Sequence, residues 1–200
     1  MLQEENILSA EYIVVGAGAI GLQMGSLLEA AGNDYLILEE SVKPEDLFKK
    51  NTEDQNQTVH AEGCDIAWNQ LRIIYNTLPF HIDRRNGYEI IDQRGRVYRC
   101  QVLLIADGLS RGGYFNDTAF ARSCWPARRS GQSYPAVTGM FESLNQANMY
   151  FLCASAFYQN PHAISNANRI KVFNFILENA PESRNTEIVD AEKLLSLSHS

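Results

Sequence analysis

The stretch Tyr12–Glu40, YIVVGAGAIGLQMGSLLEAAGNDYLILEE, has the pattern of a strand, a glycine-rich turn, a helix and a second strand. Tyr12 to Val15 is a continuous apolar run rich in β-branched residues, which is typical of a buried parallel strand. A helix is predicted from about Ala19 to Ala31, and Tyr35 to Leu38 forms the next apolar run. This order predicts a parallel βαβ unit.

The turn contains three glycines with the spacing G-x-G-x-x-G, at Gly16, Gly18 and Gly21. The first permits the sharp turn out of the strand, the second lets a pyrophosphate approach the backbone, and the third allows the helix to pack tightly on the sheet. A helix N-terminus also attracts phosphate, because its first N–H groups have no partners within the helix. The residues expected to contact a dinucleotide here are Gly16, Ala17, Gly18, Ala19, Ile20 and Gly21.

The predicted helix has a single apolar face, as expected for a helix that covers a sheet. Its apolar residues recur at three- and four-residue spacings, at Ile20, Met24, Leu27, Leu28 and Ala31. Gly25 adds a small residue on the packing face, and Gly32 follows as a C-terminal stop.

An acidic residue stands at the end of the second predicted strand. A carboxylate at Glu39, with Glu40 beside it, can accept hydrogen bonds from the adenosine ribose hydroxyls. The same charge would repel a 2′-phosphate, so FAD or NAD fits the site and NADP does not. The alternative is a turn that uses glycine without binding a ligand. The agreement of strand, glycines, helix and acid favours a binding turn.

Composition and charge exclude several classes of function. The 200 residues are 45% apolar and 20% charged, with a formal charge of −7, which is typical of a globular domain and argues against a nucleic-acid surface. No apolar run approaches the roughly 18 residues that a membrane helix needs. Met1–Ala10 lacks the cationic start of a signal peptide, so a cytosolic chain is expected.

The cysteines and histidines do not have the spacing of a metal or dithiol site. Four cysteines occur without a C-x-x-C pair and are expected to be buried free thiols, and the four histidines are scattered. No metal is expected.

Beyond Glu40, the clearest pattern is a set of short strands joined by turns. We predict strands at Leu71–Tyr75, Pro79–Arg84, Gly87–Asp92 and Val97–Ala106, with an Asn-Gly hairpin turn before the third. The last three strands would form an antiparallel meander whose final strand runs into the buried sequence VLLIA.

The last part of the chain is expected to hold a buried strand and a closing helix. The strand is predicted at Met149–Ala156, and Asn160 with Pro161 would begin the helix, which ends near Glu178. Its inward residues are expected to be Ile164, Ala167, Ile170, Phe173, Phe175, Ile176 and Leu177. Residues 181–200 are expected to form a tail.

This order of elements resembles the FAD domain of flavoproteins with two dinucleotide domains, the flavin-monooxygenase and pyridine-nucleotide-disulfide-oxidoreductase group. LRIIYNTLPFHIDRRNGYEIIDQRGRVYRCQVLLIADGL at Leu71–Leu109 is most similar to the FAD-dependent oxidoreductase domain-containing proteins of the endoplasmic reticulum. Tyr134–Phe141 and Asn148–Phe151 are similar to the return of those chains to the FAD domain. The resemblance implies a second cofactor-contacting segment, the family's A-T-G, at Ala106 and Gly108, and a location in the endoplasmic reticulum.

The chain departs from that family at four places. Ser110–Tyr134 is too short for the family's inserted NADPH domain, since a domain needs at least about 50 residues. Asp107 replaces the threonine of A-T-G. Cys153 and the pair His162-Ala163 stand where the family has glycines that approach the flavin. The end of the site expected to hold the adenine therefore keeps the family's pattern, whereas the end expected to hold the flavin departs from it.

Together these patterns predict an α/β protein: an FAD/NAD(P)-binding Rossmann-like parallel sheet with helices and a three-stranded β-meander. Residues 1–180 would form one FAD-type domain that lacks the NADPH domain near 110–134. The predicted function is that of an FAD-binding flavoprotein with oxidoreductase ancestry, and no residue is nominated as catalytic. The alternatives are a non-catalytic subunit, whose protein partner covers the surface left by the missing domain, and a single-domain NAD-binding protein, which the meander disfavours.

Overall fold

The structure is a computed structural model, which describes residues 7–42, 70–106, 136–152 and 166–180. Its elements follow one another in the order β1 (Ile7–Ser9), β2 (Tyr12–Val15), α1 (Ala19–Ala30), β3 (Tyr35–Leu38), β4 (Ile73–Ile74), β5 (Pro79–Arg85), β6 (Gly87–Asp92), β7 (Val97–Cys100), β8 (Val102–Ile105), β9 (Met149–Phe151) and α2 (Asn166–Asn179).

The centre of the fold is a parallel sheet. Within the described ranges it has five strands, in the order β4-β3-β2-β8-β9, and every neighbouring pair is parallel. All residues of β2, β3, β8 and β9 are buried, as their continuous apolar sequences predict. The predicted parallel βαβ unit is therefore confirmed as β2–α1–β3.

Helix α1 lies close to this sheet because small residues face it. A Cβ added at Gly25 would lie 2.5 Å from Ile37 Cδ1 on β3. The helix ends at Ala30, one residue before the predicted end. Gly32, at φ 71°, and Asn33 then donate to the carbonyls of Glu29 and Leu28, which is a Schellman motif.

The predicted three-stranded meander is present as β5, β6 and β7, in a second sheet of order β1-β7-β6-β5 within the described residues. The sequence did not predict strand β1, which pairs parallel with β7. The single strand expected at Val97–Ala106 was wrong, because the chain passes from one sheet to the other at Gln101. The N–H groups of Gln101 and Val102 both donate to Glu11 O, each at 3.0 Å.

The two other predicted strands are shorter than expected within the described residues. Strand β4 covers only Ile73–Ile74 of the predicted Leu71–Tyr75, and β9 covers Met149–Phe151. Helix α2 buries Ile170, Val172, Phe173, Ile176 and Leu177 against the core, with Phe175 partly buried. The predicted helix start at Asn160 and Pro161, the inward residue Ile164 and the predicted tail lie outside the described residues, and the side chain of Ala167 is likewise not described.

In the described parts of the chain, neither helix combines the length and the apolar composition needed to cross a membrane.

Candidate functional site

The candidate site lies at the carboxyl ends of the central strands, where the strand order changes direction. Strand β2 has β3 on one side and β8 on the other, and α1 connects β2 to β3. The Ala106 N–H donates to Val15 O at 2.9 Å, so the ends of β8 and β2 stay together at this edge. In open α/β sheets, ligands bind in the crevice at such a switch point.

Gly16 and Gly21 close the turn between β2 and α1. Gly16 has φ 96°, a conformation that favours glycine, and its N–H donates to Leu38 O at 2.8 Å. A Cβ added at Gly21 would lie 1.9 Å from Gly16 O and 3.4 Å from Ala106 Cβ. The third glycine of the motif is therefore required by the packing of the helix on its own turn, whereas the sequence analysis assigned it to the packing of the helix on the sheet.

Gly18 has a different environment. It is the N-cap of α1 with an extended backbone, φ −66° and ψ −179°, which any residue can adopt. A Cβ added there would have no heavy atom within 4 Å, so it would project into open space. No side chain caps this helix end, and the first intrahelical bond that closes on Gly18 comes from Leu22. The N–H groups of Ala19, Ile20 and Gly21 thus have no partner within the helix.

The carboxylate of Glu39 lies at the edge of the sheet beside this turn. Glu39 is 5% exposed, and its Oε2 accepts from the Ala17 N–H at 2.8 Å while Oε1 accepts from the Ser41 N–H at 2.7 Å. A carboxylate has about four lone-pair positions, and these two N–H groups occupy two of them. The next residue, Glu40, is only partly buried.

Ser41 is a polar residue of this site that the sequence analysis missed. It is 6% exposed, and its hydroxyl oxygen is buried without a hydrogen-bond partner among the described residues. A buried hydroxyl without a partner is costly, and a protein group, a water molecule or a bound ligand can supply that partner. Its position two residues after the acid that ends a buried strand was the available signal.

Most of the predicted site residues come together at this edge. The structure brings the turn Gly16–Gly21, Glu39 and Ala106 to the carboxyl ends of β2, β3 and β8. Glu40 lies at the rim. Asp107 and Gly108 lie outside the described residues, as do Cys153 and the pair His162-Ala163.

Three buried titratable groups, Cys100, Tyr35 and Tyr150, are not suited to acid–base or nucleophilic chemistry near neutral pH. Burial raises the pKa of the Cys100 thiol far above its usual range, which makes it a poor nucleophile. Burial likewise raises the pKa of Tyr35 and of Tyr150 to about 12. In the parts of the chain that the structure describes, no group of three or more His, Cys, Asp or Glu side chains is placed to hold a metal ion.

Comparison with known proteins gives relatives of one kind. No protein-family model matches the chain. The FAD-dependent oxidoreductase domain-containing protein 2 of Mus musculus is 28% identical over 154 residues, and that of Danio rerio is 27% identical over 154 residues. These alignments cover 50% and 51% of this chain, and 23% and 22% of the relatives. The resemblance predicted from the sequence is confirmed, and the chain spans less than a quarter of the length of these relatives.

Similar solved structures include a disulfide reductase and a flavin-containing monooxygenase, both of low sequence identity. The bacillithiol disulfide reductase Bdr (YpdA) from Staphylococcus aureus is 20% identical with a TM-score of 0.39, covering 50% of this chain and 39% of that one. The flavin-containing monooxygenase from Stenotrophomonas maltophilia is 16% identical with a TM-score of 0.36 and the same two coverages.

Proposed function

We propose that this chain binds FAD, with the pyrophosphate at the N-terminus of α1 and the adenosine ribose at Glu39, and that it serves as an oxidoreductase domain. The observation that carries this proposal is the open space at Gly18, beside helix N–H groups without partners in the helix. The similarity to proteins named for FAD dependence favours FAD over NAD. When bound, the flavin would supply the redox chemistry.

The pyrophosphate is assigned to the turn because its groups are suited to an anion. The first N–H groups of α1 and its dipole both attract negative charge. The structure records no acidic residue in the first turn, so no carboxylate competes for those donors. The site residues proposed here are Gly16, Ala17, Gly18, Ala19, Ile20, Gly21 and Ala106, with Gly108 from the sequence resemblance.

The ribose is assigned to Glu39 and Ser41 because both place polar oxygen atoms at the carboxyl edge of the sheet, beside the turn. The two backbone N–H bonds hold the Glu39 carboxylate in place, and a carboxylate oxygen can accept from more than one donor. The buried Ser41 hydroxyl lacks a partner among the described residues, and a ribose hydroxyl is one group that can supply it. The same buried carboxylate excludes a 2′-phosphate, and so disfavours NADP.

The test uses the absorbance of the purified protein at flavin wavelengths, before and after denaturation, and a titration of the colourless fraction with FAD. We expect saturable binding. Gly18→Asp should weaken binding by at least about tenfold, since it places a side chain and a negative charge where the pyrophosphate would lie. Protein that stays colourless and ignores added FAD would remove the proposal.

Gly139→Asp is the matched control for this experiment. Gly139 is also free of heavy atoms around an added Cβ, and it lies in an exposed turn and is not one of the proposed site residues. The same substitution there adds the same charge and volume, so it should leave FAD affinity within about twofold of the wild type. Equal losses in both variants would show that charge alone, and not the site, weakens binding.

A second candidate is a non-catalytic relative that serves as a subunit of an assembly. The sequence favours it because Ser110–Tyr134 is too short for an NADPH domain and because Cys153 and His162 replace glycines expected at the flavin. A protein partner would then cover the surface near residues 110–134. Light scattering that shows a larger assembly, without NAD(P)H oxidase turnover, would support this candidate. A monomer with such turnover would remove it.

A further inference from the structure

We propose that the ion pair between Asp92 and Arg96 positions the ribose-binding carboxylate of Glu39, acting through the segment Asn76–Thr77. The pair spans the turn of the meander sheet, because Asp92 ends β6 and Arg96 directly precedes β7, whereas Glu39 follows β3 in the parallel sheet. The inference deepens the proposed function and rests on it.

Asp92 is the fixed point of this arrangement. Its side chain is 0% exposed, and its Oδ1 accepts from the N–H groups of Arg94 and Arg96 at 2.8 and 2.9 Å. Its Oδ2 accepts from Arg96 Nε at 2.6 Å and from the Tyr98 hydroxyl at 3.3 Å. With four donors on two oxygens, the carboxylate holds the Arg96 guanidinium in one orientation.

Arg96 extends from this pair to the segment that follows β4. Its Nη2 donates to Thr77 Oγ1 at 2.8 Å and to Asn76 O at 3.3 Å. Asn76 has φ 54°, which non-glycine residues adopt only when their surroundings hold them there. Thr77 is fully buried. The guanidinium thus supports a short backbone segment in an uncommon conformation.

That segment in turn holds the backbone on both sides of the ribose site. The Thr77 N–H donates to Glu39 O at 2.8 Å, and the Asn76 N–H donates to Ser41 O at 2.9 Å. Ser41 also donates its own N–H to the Glu39 carboxylate. The contacts therefore form a continuous path from Asp92 through Arg96, Thr77 and Asn76 to the residues assigned to the ribose.

Gln93 supports the same segment from the other side. Its Nε2 donates to Asn76 O at 3.1 Å, and its Oε1 accepts from the Leu78 N–H at 2.7 Å. Removal of the Arg96 side chain should therefore make the segment Asn76–Thr77 more mobile, while the bond from Gln93 still holds it in place. A partial loss of ribose recognition, with the fold retained, is the expected result.

The experiment measures the affinities of the full chain for ADP and for 2′-deoxy-ADP. The ratio of the two dissociation constants reports the contact with the 2′-hydroxyl, and a wild-type ratio of about ten or more is expected for a hydrogen bond to a charged group. We expect Arg96→Met to lower that ratio at least about threefold, because Glu39 is then less well placed. Arg96→Lys should also lower it, since one ammonium cannot hold Asp92 and reach Thr77 in the same geometry.

Arg99→Met is the matched control. Arg99 is an arginine of the same sheet, ion-paired to Glu89 and 53% exposed, with no recorded bond to Asn76 or Thr77. Its removal changes the charge equally and should leave the ratio unchanged. A merely structural role for Arg96 would let the lysine variant bind both nucleotides as the wild type does, and that result overturns the positioning.

Amide hydrogen exchange gives a readout that needs no ligand. The N–H groups of Thr77 and Ser41 should exchange at least about tenfold faster in Arg96→Met than in Arg99→Met, while amides within α1 keep their protection. Unchanged exchange at these two amides overturns the positioning even if nucleotides bind. If these amides exchange faster in Arg96→Met but the wild type binds neither ADP nor FAD, the positioning of Glu39 is supported and the proposed function is ruled out.

Discussion

At the scale of single residues, the glycines of the turn have different physical reasons to be glycine. Gly21 has no room for a side chain, because backbone atoms of Gly16 occupy the place of its Cβ. Gly25 is limited only by the end of the Ile37 side chain, which can turn away. Gly18 has room for a side chain, so the fold does not require glycine there, whereas the proposed pyrophosphate would.

These differences predict a graded series of alanine variants. Inside a helix, alanine stabilises the folded protein by about 1 kcal/mol relative to glycine, whereas overpacking destabilises it by about 1–3 kcal/mol. Gly21→Ala should lower the free energy of unfolding by about 2 kcal/mol, since a clash with rigid backbone costs the upper end of that range and exceeds the helix gain. Gly25→Ala should change it by less than about 1 kcal/mol, because the two effects nearly cancel. Urea unfolding of both variants checks the order.

The control for this series is Gly139→Ala, in an exposed turn where an added Cβ meets nothing within 4 Å. Its free energy of unfolding should lie within about 0.5 kcal/mol of that of the wild type. If Gly21→Ala is as stable as this control, the close approach of α1 to its own turn is not a feature of the folded protein.

At the scale of elements, the sequence predicted the helices and strands whose bounds depend on neighbouring residues in the chain. The period of the apolar residues and Gly32 placed helix α1 to within one residue, and the continuous apolar runs placed β2, β3 and β8. Strand β1 was not predicted, since its three residues are exposed and only its pairing with β7 defines it. The break at Gln101 depends on Glu11, a residue distant in sequence, so no pattern around residue 101 could show it.

The residues of the candidate site divide in the same way, into those that a local pattern predicts and those that only contacts in the folded chain bring together. Its glycines and Glu39 belong to one motif with fixed spacing, so the sequence sufficed to find them. Ser41 and the support from Asn76 and Thr77 depend on hydrogen bonds between segments that meet only in the fold. The sequence analysis therefore could not identify Asn76 and Thr77 as the residues that the meander turn contacts.

The meander turn also makes a prediction about pH. Burial alone raises the pKa of Asp92, but the N–H groups of Arg96 and Arg94 and the Arg96 guanidinium together hold it below its usual value. A pKa lowered by folding stabilises the protein above the pKa of the unfolded chain, and that stability is lost as pH falls through the folded value. Asp92→Asn should therefore cost about 2 kcal/mol at pH 7, and the difference from the wild type should shrink below about pH 4.

Urea unfolding at a series of pH values between 7 and 3 measures this difference. Asp83→Asn is the matched control, because the Asp83 side chain is 47% exposed and its ion pair with Arg85 contributes at most about 1 kcal/mol. A gap between Asp92→Asn and the wild type that stays constant with pH would contradict an ionised, hydrogen-bonded Asp92 in the folded state.

At the scale of the whole molecule, the second sheet contacts the first beside the edge where the site is proposed. The parallel sheet supplies the turn, the helix N-terminus and Glu39, and the meander supports the segment that holds Glu39 in place. The meander is therefore more than a connection between β4 and β8. That the domain extends over residues 1–180, without an NADPH domain near 110–134, remains a prediction from the sequence.

The most direct test of the central claim, that the βαβ unit holds a dinucleotide, is the change in backbone amide NMR signals during a titration with FAD. The account predicts saturable shifts that are largest at Gly18, Ala19, Ile20 and Gly21, with smaller ones at Ser41. Signals of the turn Asp92–Arg96 should move little. An absence of saturable shifts, or shifts confined to residues away from the carboxyl edge of the parallel sheet, would contradict it.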